Sequence, residues 1–174
     1  TFDDTQLSDN ETPNIPSPIS KLNEVMKSES NAEIIFPYLG GSEVSKSASQ
    51  LVNRYVINFG ERDLEECKLG WPEVFNILEK KAKGMRSSHS TANWWQFERL
   101  RADMYKSIDK HNRVLAVAQT SKYKGFVEVE KNMVFDQTLI IFPINSFVDF
   151  SILQSSVHMD WAIFFGACIS EPAL

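Results

Sequence analysis

The sequence predicts an α+β fold in which a small, mainly antiparallel sheet is packed by amphipathic helices. Apolar residues recur at spacings of three and four in 71–83, 93–108 and 147–165, the period of a helix with one buried face. Between Arg113 and Ile144 the pattern changes to short β-branched runs separated by turns, the signature of strands. The composition supplies the core: of 174 residues 43% are hydrophobic and 24% charged, with 12 Phe and 4 Trp, the balance of one ordinary globular domain.

Residues 1–18, TFDDTQLSDNETPNIPSP, combine acids, Ser, Thr and Asn with prolines and almost nothing apolar. Such a stretch buries too little surface to offset its own ordering, so it reads as a polar linker or arm, with a single domain over 19–174. Ile19–Met26 is a short amphipathic piece, and Phe36-Pro37-Tyr38-Leu39-Gly40-Gly41 reads as a turn because of its Pro and paired Gly. Arg54–Phe59, RYVINF, has strand composition and ends at Gly60, after which Asp63 caps a short helix through Lys68.

Pro72 suits the first turn of a helix, where its missing N–H costs nothing; Val74, Ile77, Leu78 and Lys81 then share one side until Gly84. A second helix is expected over Asn93–Ile108, with Trp94, Phe97, Leu100, Met104 and Ile108 on one side and Arg99, Asp103, Lys106 and Lys110 on another. RVLAVAQT, GFVEVE, MVF and TLIIFPI are the expected strands, with a turn at Lys122–Gly125. A last helix over Phe147–Phe165 carries Phe150, Leu153, Val157, Trp161 and Phe164 on a stripe that would close over the sheet.

The net charge of −5 counts against a nucleic-acid partner only until it is divided along the chain. Residues 1–70, 71–130 and 131–174 carry −6, +4 and −3, and the window 80–124 alone carries +8. Folding could gather these cations, among them Lys83, Arg86, Arg113, Lys122 and Lys124, on one basic face, or spread them as solvated helix faces. The turn Thr120-Ser121-Lys122-Tyr123-Lys124 packs hydroxyls, a phenol and two cations between two strands. A hairpin tip of this kind can enter a groove, its lysines on phosphates and Ser121 or Tyr123 against backbone or base edges.

Several chemistries find no support in the residues. The seven glycines form neither GxGxxG nor a P-loop, and no Asn-Pro-Pro-Tyr motif is present. Glu128-Val129-Glu130-Lys131 has the wrong spacing for a PD-(D/E)xK nuclease and reads as the polar side of an edge strand. His89 and His111 lack partners at triad or ligand spacing, and His158 reads as a hydrogen-bonded structural residue. Cys67 and Cys168 form no CxxC and read as reduced thiols of a cytoplasmic protein without structural zinc. No run reaches the ~18 apolar residues of a membrane span, and no membrane partner is expected. A start at Thr1 without Met and an end on Ala173-Leu174 suggest a piece of a longer protein.

The segments NRYVINFG (53–60), WPEVFNILEKKAK (71–83), NWWQFERLRADMY (93–105), RVLAVAQTSKY (113–123), TLIIFPI (138–144) and LQSSVHMDWAIFFGA (153–167), in this order, resemble the target recognition domain of the MmeI-like restriction-modification enzymes. The resemblance covers about residues 34–169 and implies that this chain reads double-stranded DNA while catalysis lies upstream. There a methyltransferase domain of the same polypeptide would methylate adenine N6 with S-adenosylmethionine, and an endonuclease, where present, would use Mg2+; neither cofactor is implied for this chain. Residue by residue, the SKY turn at Ser121–Tyr123 and Arg54 match family motifs and are the expected DNA contacts, joined by Lys83, Arg86, Arg113, Lys122 and Lys124 as cations; no catalytic or metal residue is implied.

Three places depart from the family pattern. Lys83-Gly84-Met85-Arg86 stands where Lys-Pro-x-Arg is usual, Phe36 where Arg precedes Pro-Tyr, and Ile169–Leu174 where Arg-x-Arg-Tyr closes the domain. The alternative function is a protein-interaction or scaffolding module packing against the catalytic domains of the parent, motivated by the −5 total and by Phe36, Tyr38 and Phe165 near expected element ends.

Overall fold

A computed structural model describes residues 2–3, 17–46, 52–83, 91–121, 125–144 and 146–165. The chain is α+β and divides into two compact units: Thr1–Leu39 with Val52–Ala102 and Asn132–Val134, and Gly40–Leu51 with Asp103–Lys131 and Phe135–Leu174. Of the polar arm only Phe2–Asp3 (β1) and Ser17–Pro18 (β2) lie among the described residues, as two short parallel strands.

In the first unit, β3 (Ile35–Leu39) pairs antiparallel with β4 (Tyr55–Ile57), in the register Ile35↔Ile57, Phe36↔Val56 and Pro37↔Tyr55. The expected turn at 36–41 is therefore a strand up to Leu39. Bonds from Tyr38 N–H to the Arg54 carbonyl and from Asn58 N–H to the Ile34 carbonyl, both 2.8 Å, fix which pairs are hydrogen-bonded. Pro37 falls on a non-bonded position of this ladder, so its missing N–H removes no hydrogen bond between β3 and β4. Gly60 follows with φ +62, a left-handed turn that suits a residue without Cβ.

Helices then cover this sheet. In α1 (Ile19–Val25), Leu22 and Val25 are buried, and from α2 (Glu29–Ala32) the buried Asn31 donates to the Val25 carbonyl at 2.9 Å. Asp63 caps α4 (Leu64–Gly70), its Oδ1 accepting the Glu66 N–H at 2.8 Å as expected. Trp71 joins α4 to α5 (Pro72–Ala82), with Pro72 at the first position of the latter. Its indole N–H donates to the Ser30 carbonyl at 2.6 Å, so one aromatic residue ties two helices to the segment before β3. The core gathers Leu22, Val25, Ile34, Ile35, Phe59, Cys67, Trp71, Val74 and Phe75.

The expected helix over Asn93–Ile108 is a correction: residues 91–101 are irregular, and only α6 (Ala102–Ile108) is helical. In the irregular segment Trp94 and Trp95, both half-buried, pack against the core around Phe59 and Phe75. Trp94 meets Phe75 edge-on at 5.5 Å and Trp95 at 5.8 Å, while the Trp95 indole donates to the Arg62 carbonyl at 3.1 Å. Arg101, at φ +51, precedes α6 directly.

The second unit is built on β5 (Arg113–Ala118), flanked by β6 (Val127–Glu130) and β8 (Leu139–Phe142), both antiparallel to it. Val114 through Ala118 are all buried, which explains an uninterrupted apolar run in place of strict alternation. β5 has two edges and both are taken. The MVF strand, β7 (Val134–Phe135), lies in the other sheet, of order β2-β1-β4-β3-β7, and the single expected sheet becomes two. In α3 (Gly41–Lys46), Glu43 Oε2 accepts the Gly40 N–H at 3.1 Å, and Gly41 N–H donates to Thr138 Oγ1 at 3.0 Å.

The expected single helix over Phe147–Phe165 is also corrected, to α7 (Phe147–Gln154) and α8 (Ser156–Phe165). Ser155, at ψ 149°, breaks it; its hydroxyl donates to the Ile152 carbonyl at 2.7 Å, and its Oγ accepts the His158 N–H at 3.1 Å, starting α8. Of the expected stripe, Phe150 and Leu153 are half-buried, whereas Val157, Trp161 and Phe164 are exposed and do not close over the sheet. His158 is structural: its Nδ1 lies 2.8 Å from the Leu153 carbonyl, which only accepts, so this nitrogen carries the proton.

Phe59 is fully buried between Trp71 and Phe75, at 6.0 and 6.2 Å between ring centroids. Phe59→Ala is expected to lower stability by about 3–5 kcal/mol in urea unfolding followed by tryptophan fluorescence. Asp63→Ala, which removes only the cap, is expected to lose about 1 kcal/mol in the same measurement.

Candidate nucleic-acid interface

The cationic window is divided between the two units, Lys80 to Arg101 in the first and Lys106 to Lys124 in the second. In the first unit Arg54 directly precedes β4, with its guanidinium carbon 4.9 Å from the Tyr38 ring centroid. This stacking holds the planar cation against an aromatic face, which limits its rotamers. Lys83 caps the C-terminus of α5, where the helix dipole favours positive charge. Its ammonium lies 2.6 Å from Glu79 Oε1 and 5.7 Å from the Trp94 ring centroid. That hydrogen bond holds the Glu79 carboxyl below the usual glutamate range.

In the second unit Arg113 begins β5 and reaches across to β6, its Nε 3.1 Å from Glu128 Oε2 and its Nη2 donating to the Glu128 carbonyl at 3.1 Å. Ser121 follows the other end of β5 and is half-buried. A strand rises about 3.3 Å per residue, so Arg113 and the segment leading to Ser121 stand at opposite ends of β5. Arg86, Lys122, Tyr123 and Lys124 lie outside the described residues. The structure thus holds Arg54 and Lys83 in one unit, and Arg113 and Ser121 at the two ends of one strand in the other.

Ion pairing separates the cations in a way that spacing along the chain does not reveal. Arg62, Lys68, Lys83, Arg113 and Lys131 each face a carboxylate, at 3.5, 3.5, 2.6, 3.1 and 3.0 Å. Among the described residues, Arg99 and Arg101 on the irregular segment and Lys106 and Lys110 on and after α6 have no such partner. Lys106, on α6, and Lys110, in the turn just past its end, are both exposed, so both can meet a polyanion without first giving up a protein carboxylate. Sequence reasoning set these two among the charges of the window and not among the expected contacts; the signal, an i,i+4 pair without an acid at i−4, was present.

The family model of the MmeI target recognition domain matches residues 18–169, and the chain belongs to that family. A solved structure of the Type IIL restriction-modification enzyme MmeI in complex with DNA shares the fold, with a TM-score of 0.58 and 16% sequence identity over 82% of this chain. The match spans 19% of that chain, so the present sequence corresponds to about a fifth of the relative. No curated protein matches the sequence.

Lys83→Met is expected to return the Glu79 titration, followed by carboxyl NMR, to the ordinary glutamate range. Because the Glu79 carboxyl is held low in the folded chain, the pair stabilises above the unfolded carboxyl's titration and loses that contribution as pH falls through the folded one.

Proposed function

We propose that this domain reads a specific base sequence in double-stranded DNA as the specificity part of a longer restriction-modification enzyme. The match to the MmeI target recognition domain across residues 18–169 carries this reading. In the first unit the exposed Arg99, without a protein carboxylate among the described residues, and Arg54 are the proposed contacts; in the second unit they are Lys106 and Lys110, likewise exposed and without carboxylates, with Ser121 and the lysines after it. Cations on phosphates fix position on the duplex, and a few side chains at base edges select the sequence.

The remainder of the proposed enzyme holds the chemistry: an adenine-N6 methyltransferase domain with S-adenosylmethionine and, where DNA is also cut, an endonuclease with Mg2+. Among the described residues no group of three or more His, Cys, Asp and Glu is placed to hold a metal ion. Among the described residues no helix is long and apolar enough to cross a membrane.

Fluorescence anisotropy with duplex DNA is expected to show affinity falling as salt rises, with a slope of about 0.9 per phosphate neutralised. Lys106→Ala and Lys110→Ala are each expected to reduce that slope by about 1 and to weaken all duplexes alike. Salt-independent affinity would overturn the reading. A graft of residues 34–169 from a family member of other specificity is expected to change which adenines are methylated, as mapped by sequencing; an unchanged motif would also overturn it.

A further inference from the structure

The helical hairpin α7–α8 of the second unit is well held on its inner side and bare on its outer side. Inside, Gln154 Oε1 accepts the Phe126 N–H at 2.9 Å, and the His158 ring lies 5.7 Å from Phe126. Outside, Phe147, Val157, Phe164 and Trp161 are 81%, 78%, 80% and 60% exposed, joined by Val148, Ile152, Ile163 and Phe165. Trp161, Phe164 and Phe165 form a continuous aromatic cluster, with centroids 5.4 and 4.9 Å apart. A helix apolar on all sides is one covered on all sides.

The size of the face sets what can cover it. Large aromatic side chains carry some 150–250 Å² each, so these eight residues offer on the order of 1,000 Å² of apolar surface. The largest patch on a typical monomer is about 300–600 Å², whereas each partner of a specific interface contributes about 800 Å². This face therefore has the dimensions of an interface.

Charge selects the occupant. From Asn132 to Leu174 the sequence has no Lys or Arg, and α7 and α8 carry Asp149 and Asp160. Nucleic acid and anionic lipid both need cations that this face lacks. In a two-fold pair with a second copy, each acid would meet a surface carrying the same two acids and no cation. The relative of known structure carries about four fifths of its chain outside the matched region, and a tethered partner has a high effective concentration.

We propose that the outer face of α7–α8 docks against an apolar surface of another domain of the same longer polypeptide, whose rim presents Lys or Arg to Asp149 and Asp160. The inference rests on family membership and not on DNA reading, so each can fail without the other. Radical footprinting of the full-length polypeptide tests it, with Leu69 of α4, 81% exposed, as an internal reference. After correction for intrinsic reactivity, Phe147, Trp161 and Phe164 are expected to be labelled several-fold less than Leu69, independently of protein concentration. Asp160→Lys, an exposed change that leaves the hairpin's inner contacts intact, is expected to raise labelling of Phe164 while salt-dependent DNA binding persists. Labelling equal to that of Leu69 overturns the proposal, and protection that disappears on dilution overturns it in favour of a second copy.

Discussion

The entry of Trp94 and Trp95 into the aromatic cluster around Phe59 and Phe75 decides how the cationic stretch of this chain is presented. Burial of two large aromatics outweighs the helix propensity of the residues that follow them, because each ring removes far more apolar surface from water than a few helical hydrogen bonds return. The backbone of 91–101 is irregular; within it the Gln96 N–H donates to the Asn93 carbonyl at 3.0 Å, while the Trp95 indole and the Gln96 side-chain amide anchor the segment to the Arg62 carbonyl. Arg99 and Arg101 consequently stand on an irregular segment, and Lys106 on a separate short helix.

The second unit follows a different constraint. From Val114 to Ala118 β5 is buried on both faces and paired at both edges, so these residues answer to packing, while Arg113 at its start is exposed and tied to Glu128. Such a strand tolerates little change of volume, yet Gln119 and Thr120 beyond its end are exposed and bear on no core. A rigid strand followed by an exposed segment lets the exposed residues vary while the scaffold stays fixed.

What the sequence could show, and what it could not, follows from these constraints. Local signals were legible: the Asp63 cap, Pro72 at a helix start, the strands of 113–142 and the structural His158 all depend on residues close in sequence. Features decided by distant partners were not. The turn reading of 36–41 missed that Pro37 occupies a non-bonded ladder position, which only the register with β4 determines. The helix over 93–108 had the right period, and the pull of Phe75 on Trp94 overrode it. The six ordered motifs carried the family assignment, yet which cations are spoken for by Glu79 or Glu128 depends on folded geometry.

Under the proposed function, that last distinction reconciles an acidic chain with a polyanionic partner. Net charge counts every carboxylate equally, whereas counterion release depends on cations that a phosphate can reach without competition. Arg113, tied twice to Glu128, must surrender a cross-strand contact to bind elsewhere, and Lys83 must leave Glu79. Lys106 and Lys110 face no such exchange. Screening confines each charge to about 8 Å at physiological ionic strength, so acids farther away than that do little to lower the potential at these lysines. The −5 total therefore bears on solubility and long-range approach, while the local arrangement of paired and unpaired cations governs contact.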